Sequence, residues 1–316
     1  MCSKICFIGD IHGKNRNPLG RLYDYNEDLF YKLNWIIRYC NDNNINKIVH
    51  LGDIHDKTES SDEWKNKLIM TIRQFNGDFY SLIGNHDLPN NNEQLYSQTC
   101  LFNLELSGAI KILREPEIID FGQIIPLSLD IQKAKKDLIK YYEESEAGST
   151  CIFVGHNYYN FSLNLNAGFV DEDFAEIRSK IYMVLGHDHR QHEAVTTGNC
   201  TIFRPGSLMR TELSEETISM RPRILIYAND SLVSSWKYVE VPHRDINEIY
   251  DVGFYRSKKI NTKYFKQTAN ALDNIDKYLK AQNVQIKCSD ALKQLNCPIE
   301  EYEYLKAAYQ MCSQEF

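Results

Sequence analysis

The run Phe79-Tyr80-Ser81-Leu82-Ile83 leads into Gly84-Asn85-His86-Asp87, and the organisation of the chain follows from this junction. The apolar run reads as a short buried strand. Gly84 permits the turn on which an amide and an imidazole leave it. Alone, an Asn-His-Asp turn is ordinary. Four other clusters share its character: Gly9-Asp10-Ile11-His12, Gly52-Asp53-Ile54-His55-Asp56, Gly155-His156-Asn157 and Gly186-His187-Asp188-His189. Most of the nine histidines fall within these five clusters, which chance placement does not explain.

Each cluster follows an apolar run that reads as a strand: Ile5-Cys6-Phe7-Ile8, Lys47 to Leu51, Cys151 to Val154 and Ile181 to Leu185. Between the first three strands the spacing predicts helices over 27–41, with Leu29, Phe30, Leu33, Ile36 and Ile37 on one stripe, and over 61–75, with Trp64, Leu68, Ile72 and Phe75. Strand–helix alternation with polar residues at each strand's carboxyl end is the pattern of an α/β domain. Further on, helices are expected over 93–106 and 131–146, and strands over 109–113, 117–121 and 123–127. Alternating segments at 193–197, 200–204, 223–228 and 232–241 are expected to be antiparallel strands completing a second sheet. Composition shifts after Pro242-His243. The expected division is therefore a main domain over 1–242 and a helical region over 243–316, where Phe265, Thr268, Leu272, Ile275 and Leu279 share a stripe.

At 316 residues and 43% hydrophobic content, the chain can bury a substantial core. A net charge of -7 leaves no global basic field for nucleic acid, so any such binding would use local patches. The nine cysteines form no CxxC pair and are odd in number, as expected for reduced thiols of an intracellular protein. No secretory signal or membrane-length apolar run is present, so a soluble, cytoplasmic protein without a membrane partner is expected.

Asp10 and His12 are two apart, as are His187 and His189, so extended backbone puts each pair on one side. Imidazole, carboxylate and amide donors without cysteine suit Mn2+, Zn2+ or Fe2+. Such a set could hold two ions about 3.5–4 Å apart with one carboxylate bridging.

The order Asp-x-His, Gly-Asp, Gly-Asn-His-Asp, Gly-His, Gly-His-x-His resembles the calcineurin-like metallophosphoesterase superfamily, over roughly residues 5 to 210. The resemblance implies two stacked mixed sheets flanked by helices. It implies two divalent ions, Mn2+ foremost: one held by Asp10, His12, Asp53 and His189, the other by Asp53, Asn85, His156 and His187. His86 matches the histidine that contacts substrate phosphate or protonates the leaving oxygen. Asp87 completes the catalytic pair by orienting His86 or capping its turn. Motif two lacks the Asp-Arg-Gly of the phosphoprotein serine/threonine phosphatases, and Asp87 stands where they have Glu. Gly-Asn-His-Asp, the turn Arg204-Pro205-Gly206-Ser207-Leu208 and the exit Val241-Pro242-His243 look like SbcD-type DNA repair nucleases, including viral versions. That branch implies DNA as substrate and an SMC-like ATPase bound through C-terminal helices; a homodimer is a separate expectation. The acidic balance and short chain count against it. A stand-alone phosphodiesterase or phosphatase acting on a nucleotide-like small molecule is the second expectation, and a binding scaffold with a vestigial metal site the third.

Other residues read more plainly. His50, inside a strand, is expected to be buried and hydrogen-bonded, while His55 stands evenly between a role at the site and a solvated loop. His192 and His243 are expected to be structural or exposed. Lys14, Arg16 and Arg21 could face phosphate, but a solvated loop is the commoner outcome, as a plain turn is for Pro205-Gly206-Ser207. The cations Arg256, Lys258, Lys259, Lys263 and Lys266 could serve DNA or a solvated helix face.

Overall fold

The computed structural model describes residues 3–18, 20–120, 122–145, 149–160, 168–229, 234–253 and 255. Along the chain these form β1 (Ser3–Ile8), α1 (Tyr25–Asp42), β2 (Lys47–His50), α2 (Asp62–Ile72), β3 (Asp78–Ser81), α3 (Cys100–Leu106), β4 (Lys111–Ile112), β5 (Glu117–Ile119), β6 (Gly122–Pro126) and α4 (Ile131–Glu144). There follow β7 (Thr150–Gly155), β8 (Tyr158–Tyr159), β9 (Gly168–Phe169), β10 (Ile181–Leu185), β11 (His192–Thr197), β12 (Cys200–Arg204), α5 (Glu215–Ser219), β13 (Arg223–Asn229), β14 (Ser234–Glu240) and α6 (Ile246–Ile249).

Two mixed six-stranded sheets result, ordered β14-β13-β1-β2-β3-β4 and β11-β12-β10-β7-β6-β5. The α/β fold with two stacked sheets and flanking helices agrees with the sequence expectation. Strand alternation explains the layering. Ile5 and Phe7 of β1 join Val49, Tyr80, Val154 and Val184 in the core between the sheets. Cys6 and Ile8 point the other way, onto Leu29, Leu33 and Ile36 of α1 and Leu68 and Ile72 of α2. The second sheet's outer face packs Phe153 and Met183 on Ala134 and Leu138 of α4. Each fully buried Leu or Ile of these layers contributes roughly 1.5–3 kcal/mol.

The helices begin where capping residues stand. Asp24 accepts the backbone N–H of Asn26 and Glu27, Ser61 that of Trp64, and Asp130 that of Lys133. The helix expected over 93–106 is broken. Two 3-10 turns, Pro89–Asn91 and Glu93–Gln98, precede Thr99, whose hydroxyl caps a fresh helix at Phe102. The antiparallel segments also divide differently from expectation. β11 and β12 extend the second sheet, but β13 pairs with β1 in the first, with Cys6 opposite Ile226. The chain forms two compact units, Met1–Asp251 and Val252–Phe316. The first includes residues 243–251, which the sequence reading had placed with the helical region: Tyr250 is buried, and Ile249 O accepts the N–H of Leu22. The helical stripe expected from Phe265 onward and the cations from Arg256 to Lys266 lie outside the described residues. Among the described residues no helix is long and apolar enough to cross a membrane.

Candidate metal centre

Parallel strands β1, β2 and β3 of one sheet and β7 and β10 of the other end near one rim, and each carries one of the five clusters. The loops after β1 and β2 are zipped together: Asp53 O accepts the N–H of His12 at 2.9 Å, and Ile54 O that of Gly13 at 3.0 Å. His12, Asp53 and His187 all adopt positive φ, at 47°, 57° and 75°. Such backbone costs of order 1–3 kcal/mol per residue and persists where surrounding contacts over-determine it. Gly84 is required by proximity, because a Cβ there would lie 2.1 Å from Asp53 Oδ1.

Among the described residues the side chains gather into three groups able to hold an ion, Asp10–His12–His189, Asp53–His156–His187 and, nearer the mouth, His12–Asp56–His86. In the first, His12 Nε2 lies 2.8 Å from His189 Nε2, and Asp10 Oδ2 lies 3.8 and 3.4 Å from the two nitrogens. In the second, His156 Nε2 is 3.2 Å from Asp53 Oδ2 and 3.0 Å from Asn85 Oδ1. Asp53 Oδ2 also lies 3.5 Å from His12 Nε2, which puts one carboxylate oxygen between the groups. All seven residues expected to be ligands are thus brought together. His187, whose ring centroid is 4.7 Å from that of His156, packs on its other side against Tyr158 at 4.1 Å.

The donor set fits cations. His156 Nδ1 donates to Leu51 O at 2.8 Å, which turns Nε2 toward the oxygens of Asp53 and Asn85, where it can hold a proton or, once that is displaced, offer its lone pair to a cation. Acceptors facing acceptors in a buried site require a proton or a metal ion between them. The buried carboxylates of Asp10 and Asp53 face imidazoles. Burial alone would raise both, but the charges of His156, His12 and, for Asp10, His189 hold them below the usual carboxylate range. Conversely, burial favours neutral imidazole, yet Asp10, Asp56 and Asp53 raise His12 to about 10, and Asp53 and Asp10 raise His156 to about 9. Burial and the neighbouring His156 lower His187 to about 4. Cation uptake therefore has protons to displace.

His86 is exposed at the mouth of the site, its ring centroid 4.9 Å from that of His12. Its backbone N–H donates to Asp53 Oδ1 at 2.8 Å, and its Nδ1 donates to Asp56 O at 2.9 Å. Asp87, paired with His86 in the sequence reading, is buried behind the turn. Its oxygens accept the N–H groups of Asp53, Ile54 and Gly84 at 2.9, 3.1 and 2.8 Å. Burial and the charge of Asp53 push its carboxyl up to about 7, against those N–H bonds. Asp87 fastens the second and third loops together.

Two acidic residues within the quoted clusters support the expected ligands from outside. Asp56 Oδ1 lies 3.5 Å from His12 Nδ1 and 2.6 Å from Lys14 Nζ. Asp188 receives Arg190 through two nitrogens, at 2.9 and 3.0 Å, and His192 Nε2 at 2.9 Å. No alternation pattern announced this second set, because the backbone from 186 to 191 is a loop in which His187 takes a positive φ. His50 is fully buried with Nδ1 2.9 Å from Ser81 Oγ, as expected. His55 is also buried, 4.7 Å from Trp64 ring to ring, and is not in a solvated loop. His243 Nδ1 donates to Val241 O at 2.9 Å.

A sequence profile of the family described as calcineurin-like phosphoesterase matches residues 3–191. No curated protein matches the sequence. Among solved structures, a Staphylococcus aureus protein described as a candidate 5'-nucleotidase is 14% identical with a TM-score of 0.48, over 78% of this chain and 55% of that one. Purple acid phosphatase PPD1 from yellow lupin (Lupinus luteus) seeds is 12% identical with a TM-score of 0.49, over 78% and 55%. GAP50, the anchor in the inner membrane complex of Plasmodium, is 15% identical with a TM-score of 0.48, over 76% and 84%. The chain thus spans little more than half the length of the first two.

Proposed function

Because the chain belongs to the calcineurin-like phosphoesterase family, we propose that it hydrolyses phosphoester bonds at a centre for two divalent cations. The supporting observation is Asp53 Oδ2, set between the two donor groups at 3.5 Å from His12 Nε2 and 3.2 Å from His156 Nε2. Asp10, His12 and His189 would hold one ion and Asn85, His156 and His187 the other, with Asp53 shared. Bound cations supply Lewis acidity toward phosphoryl oxygens and lower the pKa of water. The chain's own residues do the rest. Leu51 O fixes the tautomer of His156, and Asp56 O that of His86. His86 Nε2, turned away from that anchor, hands a proton to the leaving oxygen when the ring is charged.

At finer grain the proposed ester is a DNA phosphodiester, cut with Mn2+ in the manner of SbcD-type nucleases. An SMC-like ATPase and a second copy of the chain are proposed partners. The Pro205-Gly206-Ser207 turn beside the centre and a further unit after residue 251 support this. A second reading, a small nucleotide-like phosphoester, is favoured by local charge. Lys14 and Arg190, the cations beside the ligands, are already engaged by Asp56 and Asp188. The test is Mn2+-dependent degradation of linear double- and single-stranded DNA, with Asp53→Asn as control. Degradation by the wild type alone supports the nuclease. Turnover of an activated small phosphodiester without DNA degradation supports the second reading, and metal binding without either points to a scaffold.

A further inference from the structure

The turn after β12 does more than reverse the chain. Ser207 is 1% exposed, and its N–H donates to His189 O at 3.0 Å. Its hydroxyl lies 3.0 Å from Asp10 O and 2.7 Å from Met209 O, and it accepts the N–H of Met209 at 3.1 Å. Leu208 N–H adds a bond to Asp10 O at 2.9 Å. Asp10 follows β1 of the first sheet, whereas His189 follows β10 of the second. The approach is backbone against backbone: a Cβ on Gly9 would fall 1.8 Å from Gly206 O, and Gly206 itself has φ 80°. One turn therefore grips the main chain of two expected ligands that come from different sheets.

We propose that Ser207 is a positioning residue that sets the separation of Asp10 from His189, and so selectively tunes the first of the two cation positions. The inference rests on the reading of this centre as a cation site. Asp53, His156 and His187, which form the other donor group, make no hydrogen bond to the 205–209 turn among the described residues; His187 meets Asp10 through its backbone N–H, 3.2 Å from each carboxylate oxygen. A hydroxyl proton serves one carbonyl at a time, so Ser207→Ala frees part of the grip on Asp10 while leaving the N–H bond to His189 O.

The experiment is a titration with Mn2+ alone, followed by the electron paramagnetic resonance of free and bound ion, with thermal unfolding in parallel. Wild type is expected to take up two ions. Ser207→Ala is expected to weaken one site by about 10–100-fold, as loss of a group supporting a ligand typically does, and to leave the other within twofold. Ser207→Thr, which keeps the hydroxyl, should restore the weaker site. Equal weakening of both sites, or two unchanged sites, overturns the proposal. Should Ser207→Ala fail to fold, Ser207→Cys replaces it with the same readout and the same criteria. A wild type that binds no Mn2+ refutes the cation reading itself, a result distinguishable from failure of the Ser207 inference.

Discussion

The ligand cluster around Asp53 and the cluster formed by Arg21, Asp28, Lys32 and Arg210 are both buried and charged, yet they resolve the cost of burial in opposite ways. Around Asp53, imidazole nitrogens and carboxylate oxygens converge on shared points and are held together by protons that a cation can displace, as in the 2.8 Å approach of His12 Nε2 to His189 Nε2. Under α1, most donors meet acceptors, with Asp28 Oδ1 and Arg210 Nε the exceptions. Asp28 Oδ2 receives Arg21 at 2.7 Å and Lys32 at 3.0 Å. Arg21 also donates to Tyr23 O and Arg210 O, and Arg210 to Arg244 O and Met220 O. Met209 Sδ, 3.4 Å from Lys32 Nζ, closes the space. Buried charge alone therefore does not make a site. Convergence of groups that share displaceable protons does.

The comparison is broken most severely at the mouth of the first cluster. His86 stands outside the two donor groups that share Asp53, although it forms a third group with His12 and Asp56 at the mouth, so His86→Ala should lower kcat by about 10²–10⁴-fold while both cations stay bound. Metal content and single-turnover kinetics on the same preparation check this. Loss of metal together with activity would make His86 a structural element of the centre.

The second cluster should respond in stability and not in turnover. Asp28→Asn leaves the guanidinium of Arg21 and the ammonium of Lys32 without their carboxylate, which typically costs about 3–5 kcal/mol. Urea unfolding measures this, and kcat per folded molecule should stay unchanged. A fall in kcat without loss of stability would mean the cluster communicates with the centre, through the bond from Tyr25 Oη to Ile11 O.

How much of each cluster could be read in the sequence follows the same division. The convergence of the expected ligands was legible because each strand end packs its donors into a few residues after glycine, so adjacency in sequence becomes adjacency on the rim. Arg21 was not. It read as a solvated loop residue or a phosphate contact, but it is 8% exposed, with its guanidinium 4.9 Å from the ring of Tyr25 and 5.3 Å from that of Tyr250. Tyr250 stands 229 residues away, and no local pattern announces such a partner. Asp28 and Lys32 stand outside the apolar stripe of the 27–41 helix, so the spacing that marks its buried face gives no sign of them. The placement of β13 failed for the same reason. Its apolar run marks a strand, but only the open edge of β1 decides which sheet receives it. At 93–106 the error was local, because Thr99 competes for the backbone with its own side chain and restarts the helix.

The smallest effect sharpens the contrast most. Burial lowers Lys32 from 10.5 to about 8, with Asp28 only partly opposing it. Between those values the unfolded chain binds a proton that the folded one releases, so this group makes stability rise with pH across that window. Below about pH 8 both states are protonated and the penalty of burying the ammonium is present in full. Lys32→Met removes the titration, and the methionine can pack against Met209. The unfolding free energy of wild type relative to Lys32→Met should therefore climb by ~1 kcal/mol per pH unit from about pH 8 to 9.5 and stay flat from 6.5 to 7.5. Taking the difference cancels tyrosines common to both proteins. A flat difference throughout would mean that Lys32 keeps its proton in the fold. Asp28 would then neutralise it fully, and the second cluster would be an ion pair as complete as the first cluster is open.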